Sequence, residues 1–266
     1  MTARVSIIMG IYNCATTLSE ALDSILGQTF SDWKVIMCDD GSEDDTYKVA
    51  NTYCEQYPEQ FFLLKNDRNM GLNYTLNHCL EYADTEYVAR MDGDDISLPT
   101  RLEKEVAFLD AHPEYDIVSC PMIYFDEQGD FMQGTGHGEP ALKSYVKGTP
   151  FCHAPCMVRR TAYIDVNGYT VAKNRLRVED WDLWVRMRAA GHRGFNLNET
   201  LYKMRDDRDA ISRRKLKFRF NESCVMLQAV RMLGLSPAYY FWVLRPIAVG
   251  LLPGGIYKIL HKMKTR

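Results

Sequence analysis

The feature that most restricts the fold is an alternation. Four apolar runs, RVSIIMGIY (4–12), WKVIMCDD (33–40), FFLLKN (61–66) and EYVARMD (86–92), are separated by stretches whose apolar residues recur at helical spacing. Leu18, Ala21, Leu22, Ile25 and Leu26 form one such stripe; Leu72, Leu76, Cys79 and Leu80 form another. Connections of that length join strands that run parallel, and a parallel sheet is covered on both faces by its own crossover helices. The βαβαβαβ order therefore predicts an α/β fold, Rossmann-like, with a mostly parallel sheet and helices on both faces. Local signals agree: Thr17 and Glu20 have the spacing of a capping box, and Ser42 stands where a cap of the second helix is expected, with acids in the turn that follows.

In such sheets ligands bind beyond the carboxyl ends of the strands, where strand order reverses. Polar residues are delivered to that rim. Tyr12 and Asn13 end the first run, Asp39 and Asp40 the second, and Asp92, Asp94 and Asp95 follow the fourth, in RMDGDDISLP (90–99). Carboxylates so close repel one another and lose water if enclosed, so a positive partner is expected, unless the acids form a solvated turn. The first turn carries neither a GxGxxG phosphate fingerprint nor a GxxxxGK[ST] loop. What remains is a nucleotide site that handles phosphate through Mg²⁺ or Mn²⁺, cations suited to carboxylate oxygens.

A formal charge of −3 gives no reason to expect nucleic acid as a partner. Charge is uneven, with acids clustered in the first half and basic runs, RRKLKFR and HKMKTR, in the last part. Cys14, Cys38, Cys79 and Cys120 lie in apolar stretches, as reduced core cysteines do, and no CxxC pair occurs. The opening MTARVSIIM lacks the layout of a signal peptide, so a cytoplasmic protein is expected. FCHAPC, with Cys152, His153 and Cys156, is half of a zinc site at most, since no second pair at finger-like spacing accompanies it.

Taken in order, the motifs resemble those of family 2 glycosyltransferases of the bacterial surface-polysaccharide type, which have the GT-A fold. VSIIMGIYN resembles their opening strand, VIMCDDGSEDDT the nucleoside-binding turn, NDRNMGLNYTLNHCL the phosphate-side helix entry and ARMDGDDISLP the DxD motif. GTPFCHAPCMVRR and RVEDWDLWVRMRAAG resemble the acceptor-side segments. The resemblance implies a GT-A domain over residues 1–212, its nucleotide-binding half reaching to about 98 and its acceptor half following. It implies Tyr12 against the base of a UDP-sugar, with Asp40 and the adjacent Asp39 holding that base; a carboxylate accepts the N3–H of uracil, which cytosine lacks, while GDP and dTDP stay open. Tyr12 could equally be a core aromatic and the Asp39–Asp40 pair a helix cap. By the same resemblance Asp94 is the metal ligand, with Asp92 beside it on the ribose or diphosphate side. Asp95 is not expected to touch the metal, and instead helps to start the helix near Pro99. Arg68, Asn69 and Gly71 lie towards the diphosphate–ribose end, although Arg68 could equally be a surface charge.

Glu179 and Asp180 open the helix WDLWVRMRAAG, whose Trp181, Trp184, Val185 and Met187 face inward. The resemblance makes Asp180 the general base that takes a proton from an acceptor hydroxyl, in a metal-assisted single displacement with inversion. The plainer reading of the pair is an acidic helix start. Trp181 and His153 fall on the acceptor side, with a structural role for His153 left open. Where many relatives carry YRxH, this chain has LYKMRDDRD, so Arg205 becomes a candidate for contact with the diphosphate.

Residues 213–266 read as a basic helical tail. Its aromatic stretch is broken by Arg245, Pro246 and Pro253, which makes a poor membrane span, but the neighbouring Lys258, Lys262, Lys264 and Arg266 suit a segment lying on the anionic inner face of the cell membrane. The alternative is that these helices cover the core or a dimer partner. Segments 126–140 and 167–177 are candidate mobile loops beside the cleft. Expected partners are a nucleotide sugar, a saccharide or lipid-linked acceptor, and a membrane surface. Two competing readings remain: transfer to a polyprenyl phosphate, which needs no base, and a non-catalytic nucleotide-sugar-binding partner at the membrane.

Overall fold

The computed structural model describes residues 3–206 and 216–251. The apolar runs become β1 (Val5–Ile11), β2 (Trp33–Asp39), β3 (Phe61–Lys65) and β4 (Tyr87–Arg90), joined by α1 (Leu18–Leu26), α2 (Thr46–Gln56) and α3 (Leu72–Glu81). All four strands pair in parallel, β1 lying between β2 and β4. The second half adds β5 (Ile96–Ser97), α4 (Arg101–Ala111), β6 (Ile117–Ser119), β7 (Met122–Asp126), β8 (Gly129–Gln133), α5 (Ser144–Lys147), β9 (Met157–Arg159), α6 (Arg160–Asp165), α7 (Glu179–Ala189), β10 (Gly194–Asn196) and β11 (Tyr202–Arg205). After residue 215 come α8 (Leu216–Met232), α9 (Tyr240–Val243) and α10 (Arg245–Gly250). The main sheet has the order β10-β6-β9-β4-β1-β2-β3, in which β9 runs antiparallel to both neighbours; a smaller sheet has the order β5-β11-β7-β8.

The strands are apolar throughout because both faces are covered. In β1, Ile7, Met9 and Ile11 pack with Leu18, Leu22 and Ile25 of α1 and Leu102, Val106 and Leu109 of α4. Ile8, pointing the other way, joins Leu76 and Cys79 of α3, Trp181 and Trp184 of α7, and Val225, Met226, Ala229 and Val230 of α8. The start of the expected tail, α8, is thus built into a core. The boundary expected at 212 and the cations from Lys258 onward lie outside the described residues. Among the described residues no helix is long and apolar enough to cross a membrane.

Order reverses at β1, since β2 and β3 are laid on one side and β4 on the other. In register Ile11 stands beside Asp39, and Ile8 beside Arg90. Tyr12, Asp40 and Asp92 consequently leave the sheet at one edge, at the switch point.

Several local expectations are corrected. Thr17 flanks α1 but does not cap it with its side chain; its hydroxyl donates to the carbonyls of Cys14 and Gly93 (3.2 and 3.0 Å), and Glu20 pairs with Arg205 instead of closing a capping box. Ser42 does not cap α2, which starts later; its Oγ accepts from the Asn13 amide (3.1 Å). Asp95 does not start the helix near Pro99: it accepts from the Arg205 amide and the Tyr202 hydroxyl (2.8 and 2.9 Å). Part of 126–140 is a hairpin strand, β8, paired with β7. The competing bonds win in each case because a tertiary partner was available to the same side chain.

Candidate active site

The loops after β1 and β2 are laced together. The amides of Asn13, Cys14 and Ala15 donate to Ser42 Oγ, Thr46 Oγ1 and Asp44 Oδ2 (3.1, 2.7 and 3.1 Å), and Asn13 Oδ1 accepts from the Glu43 amide (2.9 Å). Asn13 adopts a left-handed backbone (φ 48°), which asparagine tolerates. The outcome is a fixed turn that holds the Tyr12 ring 44% exposed, at the wall of a cleft of about 340 Å³. Asn13, Thr16, Asp92, Asp94 and Arg205 line the same cleft. Tyr12 is therefore not a core aromatic.

Asp39 and Asp40 are both buried and do not line that cleft. Asp40 builds the neighbouring loop: Oδ1 accepts from Asn66 Nδ2 and the Met70 amide (both 2.8 Å), and Oδ2 from the Gly71 amide (2.9 Å). Asp39 carries long bonds from the Ser42 amide (3.3 and 3.4 Å) and so keeps acceptor capacity that Asp40 has largely spent. The loop presses so closely on Gly41 (φ 74°) that a Cβ there would stand 2.7 Å from the Arg68 carbonyl carbon. Arg68 and Asn69 are exposed on it, next to the half-buried Gly71 that flanks α3.

The acidic turn is organised by arginines. Arg90, the last residue of β4, is buried, and its Nη2 lies 2.5 Å from Asp92 Oδ1. Its Nε is buried without a hydrogen-bond partner among the described residues. The backbone carbonyl of Arg90 accepts from Arg101 (2.9 Å), itself buried and paired with Glu105. Gly93 fits because a Cβ there would sit 2.8 Å from Cys14 Sγ. Asp94 is exposed at the cleft; partial loss of surrounding water, then the Asp92 charge, raise its pKa, opposed by its own backbone amide. Asp95 is buried, and burial followed by the two neighbouring acids pushes its pKa up to about 8. Arg205 spans the cleft mouth: Nε donates to the Asp94 carbonyl (3.0 Å), Nη2 to Glu20 Oε2 (2.6 Å), and the guanidinium lies 4.5 Å from the centre of the Phe125 ring.

On the other side, Glu179 and Asp180 begin α7, whose Trp181, Trp184, Val185 and Met187 are buried as expected. Trp181 Nε1 donates to the Tyr145 carbonyl (2.6 Å), and the Thr149 hydroxyl donates to the Phe151 carbonyl (3.0 Å). Burial raises the pKa of both acids, opposed at Asp180 by the Trp181 amide, the nearby Thr149 hydroxyl and the Arg90 charge. Asp182 anchors the helix by accepting from Arg175, Arg186 and Thr170 (2.7, 2.8 and 2.7 Å). His153 Nε2 is 2.8 Å from the Tyr169 hydroxyl, and burial, then Arg90, hold it well below its ordinary pKa, so it is neutral. FCHAPC builds no metal cluster: among the described residues no group of three His, Cys, Asp or Glu is placed to hold an ion.

The donor set that remains fits a diphosphate-bound cation. Asp92 and Asp94 supply hard oxygens to one cleft, and Mg²⁺ is ordinarily held by one or two carboxylates together with substrate phosphates. The charge of Arg90 acts on Asp94, Glu179, Asp180 and His153, so this one side chain links the two acidic pairs. Its sequence signal is an arginine inside the apolar run YVAR, followed at once by acids. Thr149, Tyr202 and Asn66 carried no such signal.

The model of glycosyl transferase family 2 matches residues 6–167. The putative glycosyltransferase EpsE of Bacillus subtilis (strain 168) is 41% identical over 262 residues, covering 98% of this chain and 94% of that protein. The UDP-Glc:alpha-D-GlcNAc-diphosphoundecaprenol beta-1,3-glucosyltransferase WfaP of Escherichia coli is 27% identical over 225 residues, 84% of this chain and 85% of the relative. Among solved structures, S. aureus TarS 1-349 in complex with UDP-GlcNAc matches with a TM-score of 0.73 at 19% identity, covering 94% of this chain and 72% of that one. The mannosyltransferase PcManGT from Pyrobaculum calidifontis, in complex with GDP-Man and Mn²⁺, matches with a TM-score of 0.66 at 16% identity, covering 99% and 80%. The architecture is the GT-A fold that the motif order implied. With a family model over more than half its length and a close relative along nearly all of it, the chain belongs to glycosyl transferase family 2 and is a glycosyltransferase.

Proposed function

We propose that the enzyme transfers a sugar with inversion from a nucleotide diphosphate, UDP in preference, to a hydroxyl of a saccharide or lipid-linked acceptor, with Mg²⁺ or Mn²⁺ held by Asp92 and Asp94. The observation that carries this reading is the cleft at the switch point of the sheet, where Tyr12, Asp92, Asp94 and Arg205 come together. Tyr12 offers its ring to the base, and Asp40, with Asp39 beside it at the end of β2, is the carboxylate proposed to hold that base. Arg205 is free to exchange Glu20 for diphosphate oxygens. Arg68, Asn69 and Gly71 flank the diphosphate–ribose end, and His153 and Trp181 shape the acceptor side. Asp180 removes the acceptor proton as that oxygen bonds the anomeric carbon; the carbon–oxygen bond to phosphate breaks and its electron pair leaves with the nucleotide. Burial makes Asp180 a stronger base than an exposed aspartate. The cation, when bound, offsets charge on the leaving diphosphate. Names and ligands of the similar proteins support the substrate classes: UDP-GlcNAc, GDP-Man with Mn²⁺, and a diphosphoundecaprenol-linked acceptor.

The test is a thermal-shift titration with UDP, GDP, CDP and NAD, each with and without Mn²⁺, on wild type, Asp94→Ala and Asp180→Asn. Saturation a hundredfold over Kd stabilises a site by about 2.7 kcal/mol. A UDP shift that needs both Mn²⁺ and Asp94, kept in Asp180→Asn while transfer falls about 10²- to 10⁴-fold, is the expected outcome. No nucleotide shift, or one with NAD alone, overturns the reading. Turnover undiminished in Asp180→Asn moves the acceptor to a polyprenyl phosphate, whose oxygen is already charged.

A further inference from the structure

After Glu222 the chain has no Asp or Glu, although 35 are present overall. The described part of this acid-free stretch ends in an apolar patch: Phe241 is 83% exposed, Leu244 63% and Leu251 69%, with Tyr240 and Trp242 half-exposed beside them. The patch is rimmed by cations. Lys147 of α5 and Arg245 of α10 both sit against the Trp242 ring, 5.3 and 5.5 Å from its centre. The sequence beyond Leu251 continues with Lys258, Lys262, Lys264 and Arg266. Aromatic and aliphatic side chains ringed by Lys and Arg match the boundary of an anionic bilayer, where the rings enter the headgroup layer and the cations meet lipid phosphate. A second copy of the chain would oppose like charge to like.

The patch also has a defined place relative to the chemistry. Helix α5 packs on α8 and α9. Within one short segment, Tyr145 accepts from Trp181 and Lys147 covers Trp242. The patch and the start of α7 therefore pack on the same few residues. We infer that the α9–α10 face docks on an anionic membrane surface with the Asp180 side turned towards it, so that a lipid-borne acceptor enters from the bilayer. Docking stands on the patch itself; the use made of it rests on the proposed role of Asp180.

The experiment is cosedimentation of the full chain with phosphatidylcholine vesicles, with or without about one third phosphatidylglycerol. Wild type is expected to sediment with the anionic vesicles and to be released by salt. Phe241→Glu with Leu244→Glu should weaken binding about tenfold or more for each side chain, and Gln at Lys258, Lys262 and Lys264 about fivefold for each. Trp33, Trp181 and Trp184 are buried, so quenching by brominated lipid should report Trp242. Phe241 and Leu244 are exposed, and both variants should keep the wild-type thermal shift with UDP and Mn²⁺, which separates loss of docking from loss of fold. Wild type that ignores anionic vesicles, a double glutamate variant that binds as before, or a wild-type dimer that this variant splits would each overturn the inference. Vesicle binding without any nucleotide shift would support docking and sink the donor-site reading alone.

Discussion

Asp40 and Asp92 occupy similar places in the sequence, each an acid just past a parallel strand, yet their surroundings give them different work. Asp40 accepts three donors from one loop and is bound into the scaffold, whereas Asp92 has the guanidinium of Arg90 on one side and the cleft on the other. Arg90→Gln removes the buried partner of Asp92 and leaves the acidic turn uncompensated. It is expected to cost about 3 kcal/mol, read as a lower urea midpoint, with transfer reduced more than UDP binding. Unchanged stability would mean that the turn is solvated enough to need no counter-charge. The sequence announced the acids and their rim but not the division of labour among them, because which oxygen meets which amide is decided by loops brought together from residues 13, 42 and 70. Arg90 was visible as an anomaly in an apolar run; its reach to both acidic pairs was not.

At the scale of elements, periodicity located β1 to β4 and the helices between them, since both faces of a parallel sheet demand apolar residues. Cap positions were less legible: Thr17, Ser42 and Asp95 each have the right chemistry for a helix start and use it on a tertiary partner. The antiparallel β9 was also hidden, three residues long and without alternation. One tie between elements makes a pH prediction. Arg4, at the entry to β1, bonds Asp110 at the end of α4, whose carboxyl that bond, with help from the Tyr87 hydroxyl, holds at about 2 against an ordinary 3.8. A depressed carboxylate stabilises the fold above its unfolded pKa and ceases to do so as pH falls through the folded one. Wild type should therefore lose stability between about pH 4 and 2. Asp110→Asn should lower the neutral-pH stability by no more than about 1 kcal/mol, the pair being exposed, and flatten that acid slope in urea melts. An unchanged slope would assign the acid sensitivity elsewhere.

For the whole molecule, one of the two cores is completed from the far end of the chain. Val225, Met226, Ala229 and Val230 of α8 lie against Trp184 and its neighbours. A chain ending at residue 206 would expose the surface they cover, a loss of about 5 kcal/mol or more, comparable with the net stability of a domain. Such a truncation is expected to lack a cooperative melt by circular dichroism; a sharp transition near that of the full chain would show that α8 only decorates the fold.

The cleft beside Tyr12 shares this dependence on late residues. Its mouth is bridged by Arg205, and its acidic turn is pinned by a bond between Asp95 and the Arg205 amide, 110 positions apart. During synthesis, the β1–β4 half leaves the ribosome long before β11 can pair with β5. A nascent or prematurely ended chain thus carries the acids without the strand that orders them.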